Sequence, residues 1–260
     1  MMQQTRVKES AMRLPPIQMK RKCGFYEKYI KRVLDIICSL LAIIVFCWFY
    51  LIIAVLVRVK LGSPVLFKQP RPGKIDPKTG YEKIFYMYKF RSMSDERDEN
   101  GNLLPDEARL GKFGKALRAT SLDELPEVFN ILKGDMSVIG PRPQLVRDMV
   151  FMTPEQRMRH TAKPGLSGLA QTRGRNALAW DDKLATDLGY VQNITFLGDV
   201  KIIFDTVKQV FFKEKGLEGS TVDEVELTDD YGDYLLKHER VSRDEYDRLQ
   251  AEAKELVRTV

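Results

Sequence analysis

The chain has 260 residues, enough for one or two domains, and its formal net charge of +6 is unevenly distributed. Residues 1–32 hold nine Lys/Arg against two acidic residues, whereas residues 216–260 hold six against thirteen. Three cysteines without metal or disulfide spacing and only two histidines argue against a disulfide scaffold and zinc chemistry. Because no nucleic-acid-binding motif accompanies the basic N-terminus, we expect it to meet an anionic membrane surface.

A long uncharged segment, residues 36–57, follows the basic N-terminus. At about 1.5 Å per residue, a helix of this length can cross a hydrocarbon core of roughly 30 Å. Basic residues flank both ends, which favours a re-entrant helix that returns to the cytosolic side over a straight span. Neither proline nor glycine marks a bend, so both topologies stay open.

The next segment predicts short strands. Residues 64–67 form a candidate strand, followed by turns at residues 71–73 and 76–80. Residues 83–91 alternate at period two, which predicts a strand or hairpin arm. Lys89 and Arg91 would then share one face, either as a solvated basic edge or as part of an anion site. Residues 94–106 are expected to form a loop, and residues 109–117 a weak helix.

An acidic pair, Asp123-Glu124, is the strongest chemical signal in this basic chain. One carboxylate could attack an electrophile while its neighbour binds a divalent metal, and Arg118 could join a bound phosphate. The alternative is structural, because Ser121-x-x-Glu124 also matches a capping box. Pro126 and an apolar stripe at residues 125, 128, 129 and 132 predict a helix here, which Gly134 should end.

Later motifs carry weaker signals. Thr153-Pro154 with Gln156 predicts a helix start, and residues 163–168 read as a glycine-marked turn. Residues 171–176 place Arg173 and Arg175 around Gly174, which is weak support for a phosphate loop. The apolar face of residues 202–211 suits a core helix or an interfacial helix equally well.

The last 45 residues change in composition. Residues 223–233 are acidic and turn-like, and Ser242-x-x-Glu245 should cap a charged helix over residues 243–257. We interpret residues 216–260 as an appendage that is dispensable for catalysis.

Taken together, these motifs resemble the small monotopic phosphoglycosyl transferases, also called bacterial sugar transferases. The similarity runs from about Lys31 to Phe212. It is carried by an ordered series of motifs: residues 31–35, 62–65, 69–73, 88–93, 121–126, 132–137, 140–143, 163–165 and 174–176. Family members break their re-entrant helix at a Ser-Pro pair, where this chain has Cys47-Trp48.

The resemblance implies transfer of a sugar-1-phosphate from a UDP-sugar to a polyprenyl phosphate, with release of UMP. Asp123 would be the nucleophile that forms a covalent phosphosugar intermediate, and Glu124 the Mg²⁺ ligand. The remaining candidate contacts to phosphate or substrate are Arg118, Arg142, Lys89, Arg91 and Arg175.

The sequence thus predicts a helix-rich α/β protein in four parts. Residues 1–30 form a basic segment, 31–62 a re-entrant membrane helix, 63–215 a compact cytosolic catalytic domain with interfacial helices, and 216–260 the appendage. The expected location is the cytoplasmic face of the bacterial inner membrane. The expected partners include membrane lipid but no nucleic acid, and a homo-oligomer is compatible with the sequence. Two rival functions are alternatives. An inert, lipid-binding scaffold predicts no UMP release, and an aspartate-dependent phosphatase lacks its expected Asp-x-Asp spacing.

Overall fold

The computed structural model describes residues 14–17, 21–174, 178–211 and 230–259. Its α-helices are, in chain order, α1 Lys31–Leu61, α2 Asp106–Arg109, α3 Lys112–Ala119, α4 Glu127–Lys133, α5 Val146–Met149, α6 Pro154–Arg157, α7 Leu169–Gly174, α8 Trp180–Gln192, α9 Phe196–Phe211, α10 Tyr231–Lys237 and α11 Arg243–Arg258. A π-helical turn, Tyr26–Ile30, precedes α1, and 3-10 turns cover Leu122–Glu124 and Met158–Thr161. The strands are β1 Leu66–Ile75, β2 Glu82–Phe90, β3 Ser137–Ile139 and β4 Gly165–Ser167. The predicted helix-rich α/β class is confirmed.

Strands β1 and β2 pair as a hairpin. The predicted turn at residues 76–80 is confirmed, since the Gly80 amide donates to the Asp76 carbonyl over 2.8 Å. The predicted turn at residues 71–73 is wrong, because β1 continues through it. A Cβ on Gly73 would lie 2.7 Å from the carbonyl oxygen of Lys83. This glycine therefore permits close approach of the two strands rather than a turn.

The second sheet is a short parallel pair that the sequence did not predict. Strand β3 pairs with β4 in the register Ser137↔Gly165 and Ile139↔Ser167. Part of the predicted glycine turn at residues 163–168 is therefore strand. A Cβ on Gly165 would lie 2.1 Å from the Gly140 nitrogen, so the backbones meet where no side chain fits.

The chain divides into two compact units. The smaller unit comprises Leu34–Gln69 and Tyr86–Gly134. The larger unit comprises the described residues within Met1–Val33, Pro70–Phe85 and Asp135–Val260.

In the smaller unit, α1 contributes both buried and exposed apolar side chains. Ile53 and Val57 pack with Phe90 and Leu117 in its core. Many other apolar side chains of the helix are exposed: Ile37, Leu40, Leu41, Ile44, Val45, Phe46, Trp48, Leu51, Ile52, Val55, Leu56 and Val59. The stretch Tyr26–Leu61 is long and apolar enough to cross a membrane. The helix is continuous through Cys47-Trp48, and its re-entrant topology stays a prediction.

The larger unit has a core to which the C-terminal helices contribute. Tyr231 and Leu235 of α10 and Ala253 and Leu256 of α11 lie in one apolar cluster with residues before position 216. These partners are Leu14, Val146, Met149, Val150, Phe151, Met152, Trp180 and Leu184. The predicted cap of α11 is confirmed, since Ser242 Oγ accepts from the Glu245 amide over 3.3 Å. The domain boundary at residue 216 stays a prediction, but residues 230–258 share a core with the preceding chain.

Helix α9 divides its apolar residues between a core and the surface. Ile202 is buried with Ile139, Tyr190 and Val191. Several large apolar side chains of the same helix are exposed: Phe196, Leu197, Ile203, Phe204 and Val207. The helix thus packs by one edge and presents a second apolar face, as expected for the interfacial alternative. Buried Asp199 accepts hydrogen bonds from Tyr26 and Tyr190 and pairs with Lys31, which fixes α9 to residues 26–31 within the larger unit.

Candidate active site

The acidic pair lies in a tight connection between two helices of the smaller unit. Helix α3 ends at Ala119, and Ser121 then adopts a left-handed backbone conformation with φ of 57°. The 3-10 turn Leu122–Glu124 follows and leads into α4, which Gly134 ends as predicted. Ser121 makes no capping hydrogen bond through its side chain, so the predicted capping box is wrong. The acidic pair therefore needs an explanation other than helix capping.

Lys89 brings a positive charge to this pair. Its Nζ lies 2.8 Å from Glu124 Oε1 and 3.3 Å from Glu127 Oε1. The three side chains are largely buried, with exposed fractions of 15%, 18% and 5%. The interpretation of Lys89 as a solvated edge residue is therefore wrong. The structure joins Lys89 and Glu124, which are 35 positions apart in the chain, into one charged site.

Asp123 is buried, with 7% of its surface exposed. Burial raises the pKa of its carboxyl group. The nearby charges of Lys89 and Arg118 counteract this rise in pKa, whereas Glu124 adds to it. Asp123 thus combines poor solvation with two cations that favour its ionised form, which suits a carboxylate nucleophile.

Two arginines of the smaller unit that the sequence marks as candidate phosphate contacts, Arg91 and Arg118, differ in their surroundings. Arg118 donates through Nε to Ser92 Oγ over 2.9 Å, which orients the guanidinium whose charge acts on Asp123. Arg91 is buried and donates to the Ser63 carbonyl over 2.9 Å and to Asp95 over 2.7 Å. These partners give Arg91 a structural role, and its predicted contact with substrate stays a prediction.

Arg142 and Arg175 lie outside the smaller unit. Arg142 belongs to the larger unit, where its side chain is exposed. Its carbonyl accepts a hydrogen bond from Arg159 over 2.7 Å, and the carbonyl of Pro143 accepts one from Arg71 over 3.0 Å. The loop that carries Arg142 is thus held by its backbone. Arg175 falls outside the described residues.

A buried charge network, which the sequence did not indicate, underlies the Arg142 loop. Arg159 pairs with Asp187, and its Nη1 lies 3.2 Å from His160 Nε2. His160 in turn contacts Glu82, which also pairs with Arg157. Burial lowers the pKa of His160, although Glu82 counteracts this, so the neutral imidazole is favoured.

The site suits a metal ion that is bound together with substrate. Within the described residues, no group of three or more His, Cys, Asp and Glu side chains could hold a metal. Mg²⁺ commonly takes one or two carboxylates and completes its shell with phosphate oxygens and water. Glu124, which is partly exposed beside Asp123, fits that requirement.

Sequence reasoning missed two members of the site. Glu127 lies in the predicted helix after Pro126, but its approach to Lys89 cannot be inferred from spacing. Tyr50 of α1 donates its hydroxyl hydrogen to the Leu125 carbonyl over 2.9 Å, so the apolar helix contacts the residue that directly follows the acidic pair. The only signal for Tyr50 was an aromatic residue in the middle of an apolar segment.

Comparison with known proteins places this chain in a family. The family model for bacterial sugar transferases matches residues 26–213. An uncharacterized sugar transferase, EpsL of Bacillus subtilis, is 45% identical over 71% of this chain and 89% of its own length. A UDP-N-acetylgalactosamine-undecaprenyl-phosphate N-acetylgalactosaminephosphotransferase of Aeromonas hydrophila is 37% identical over 70% of this chain. An undecaprenyl-phosphate galactose phosphotransferase of Salmonella typhimurium is 33% identical over 72%. The matches cover only 44% and 42% of the last two proteins. The chain belongs to the bacterial sugar transferase family.

Proposed function

We propose that this protein transfers a sugar-1-phosphate from a UDP-sugar to a polyprenyl phosphate and releases UMP. Family membership supports the general reaction, and the names of the Aeromonas and Salmonella relatives support an undecaprenyl phosphate acceptor. The observation that carries the proposal is the hydrogen bond from Tyr50 to Leu125. It ties the long apolar helix to a chain position two residues from Asp123, where a lipid acceptor and a soluble donor can meet.

The reaction is proposed in two displacements. A carboxylate oxygen of Asp123 attacks the sugar-bearing phosphorus, the bond from that phosphorus to the bridging oxygen breaks, and UMP leaves with the electron pair. A phosphate oxygen of the polyprenyl phosphate then attacks the same phosphorus and displaces the Asp123 carboxylate. The products are the polyprenyl diphosphate-sugar and UMP, and the enzyme returns to its starting state. A covalent intermediate divides one difficult displacement into two easier ones.

The charges around Asp123 suit this chemistry. Phosphoryl transfer depends mainly on positioning and on stabilising negative charge, because the transferred group itself needs little covalent help. Lys89 and Arg118 supply fixed positive charge beside the nucleophile. The contact of Arg142 with phosphate stays a prediction. Mg²⁺ held by Glu124 would neutralise charge on the diphosphate. The catalytic face would lie at the cytoplasmic surface of the inner membrane, where nucleotide sugars are available.

A UMP-release screen tests this proposal. The purified full-length protein in nanodiscs is incubated with polyprenyl phosphate, Mg²⁺ and each member of a UDP-sugar panel. We expect UMP release with at least one donor, dependent on the polyprenyl phosphate for repeated turnover. The rival hypothesis, an inert scaffold that binds anionic lipid, predicts no release with any donor, and that result would refute the proposed reaction.

A further inference from the structure

Glu127 is a buried carboxylate to which the proposed chemistry gives no task. It is the first residue of α4 and is 3% exposed. Its Oε1 lies 3.3 Å from the ammonium of Lys89, which also contacts Glu124 at 2.8 Å. Burying a charged side chain is costly unless a well-placed partner compensates. The Lys89 ammonium thus bridges two carboxylates, of which only Glu124 has a proposed catalytic role.

Helix α4 also fixes the backbone next to Lys89. Asn130, which is fully buried, donates through Nδ2 to the Tyr86 carbonyl over 2.8 Å. Its Oδ1 accepts from the Tyr88 amide over 3.0 Å. Strand β2 is therefore bound to α4 immediately before Lys89, and Glu127 binds the side chain of Lys89 from the same helix. Glu124, by contrast, lies on the 3-10 turn before α4.

This arrangement matters when a cation approaches Glu124. An ammonium and Mg²⁺ on the same carboxylate repel each other, so metal binding weakens the contact between Lys89 and Glu124. Without Glu127, the lysine would pair with Glu124 alone and compete with the metal for that carboxylate. We propose that Glu127 is a positioning residue that retains the Lys89 ammonium beside the acidic pair when Glu124 binds Mg²⁺. This inference rests on the proposed function, because it requires Glu124 to be the metal ligand.

Metal binding with UMP present and without sugar donor tests the inference, since UMP supplies phosphate oxygens and no turnover takes place. Mn²⁺ replaces Mg²⁺, and free Mn²⁺ is measured by electron paramagnetic resonance with the full-length protein in nanodiscs. Glu127→Gln keeps the side-chain size and should weaken Mn²⁺ binding about threefold to tenfold, the scale of one nearby charge contact. Lys89→Met should tighten binding, because it removes the competitor.

The double variant decides whether Glu127 acts through Lys89. In the Lys89→Met background, Glu127→Gln should have much less effect than in the wild type. An equal weakening in both backgrounds would mean that Glu127 contributes only its charge, and no weakening in the wild type would mean that it has no part in metal binding. Either result overturns the inference.

Three further variants complete the experiment. Glu99→Gln makes the same charge change at an exposed position of the smaller unit and should leave Mn²⁺ binding unchanged. Glu127→Asp keeps the charge but moves it away from Lys89 by one methylene, so this variant should also weaken Mn²⁺ binding. Wild-type Mn²⁺ binding by Glu127→Asp contradicts the inference even if Glu127→Gln does not fold. Glu124→Gln should lose Mn²⁺ binding, and retention would overturn the ligand assignment together with the inference. UMP release tests the reaction separately.

Discussion

The C-terminal helices are expected to contribute a large share of the stability of the larger unit. Tyr231, Leu235 and Leu256 are only 1%, 7% and 6% exposed and lie in its core. At about 1.5–3 kcal/mol for each buried large side chain, their loss would cost about 5–9 kcal/mol. Whole domains commonly have an unfolding free energy of only about 5–15 kcal/mol. A chain that ends at residue 215 should therefore be marginally stable, and Leu256→Ala alone should cost about 2–4 kcal/mol.

Trp180 provides the assay, because its ring centroid lies 5.0 Å from that of Tyr231 in this core. The chain has one other tryptophan, Trp48, and Trp48→Phe leaves Trp180 as the sole reporter. In that background, shortening at residue 215 should shift the emission to the red and lower the thermal midpoint. Leu256→Ala should lower the midpoint, and Lys254→Ala, an exposed position on the same helix, should not. Unchanged emission and midpoint in the shortened chain would refute the reasoning. Turnover per folded molecule should persist, because the family model ends at residue 213.

Three further predictions concern the site and the membrane segment. Asp123→Asn should lower UMP release by about a thousandfold or more while the fold survives, and near-wild-type release would contradict the nucleophile assignment. Glu124→Gln should lower turnover by about tenfold or more, and EDTA should abolish wild-type activity; full activity in chelator would exclude the metal role. If α1 is re-entrant, a single cysteine placed near Met2, in a chain without Cys23, Cys38 and Cys47, should resist an impermeant reagent in intact cells. Labelling from outside would indicate a straight span.

Local chemistry made several elements predictable. Gly134 ends α4 in the left-handed conformation that glycine favours, and Thr153 and Ser242 cap their helices through side-chain oxygens. In each case the signal and the structure lie within a few residues. Ser121 shows the limit of such patterns, because its left-handed backbone is incompatible with the predicted cap.

Features that depend on distant contacts were not predictable. Strands β3 and β4 are three residues long, too short for alternation to be recognised, and each exists because the other pairs with it. The residue type suggested Asp123 and Glu124 as the chemical pair, but not that Glu127 would share Lys89 with Glu124. One face of a strand and one helical turn meet there only after folding. Sequence reasoning therefore identified reactive groups better than the contacts that orient them.

Asp148 offers a test of how the C-terminal segment is attached. This buried carboxylate accepts hydrogen bonds from the Leu145 and Tyr231 amides, each over 3.0 Å. Burial, reinforced by the charge of Asp230, raises the pKa of Asp148 to about 6. The folded protein therefore holds this proton more tightly than the unfolded chain, whose aspartates titrate near pH 4. The contribution of Asp148 to the free energy of unfolding is therefore largest at low pH. It falls by about 3 kcal/mol as the pH rises from about 4 through 6.

Asp148→Asn removes that titration while nearly preserving the size of the side chain. The difference in unfolding free energy between variant and wild type should therefore change in favour of the variant as the pH is raised from 4.5 to 7. Comparing the two proteins at each pH cancels the contributions of other titrating groups, such as Glu82. Burial alone would raise the pKa of Glu82, but hydrogen bonds from His160 and Arg157 outweigh burial and hold this pKa at about 2. Asp244→Asn, on the exposed first turn of α11, should follow the wild type. Parallel pH profiles for wild type and Asp148→Asn would show that Asp148 ionises without cost in the folded state. The amide hydrogen bonds from Leu145 and Tyr231 would then offset the burial of this carboxylate in full.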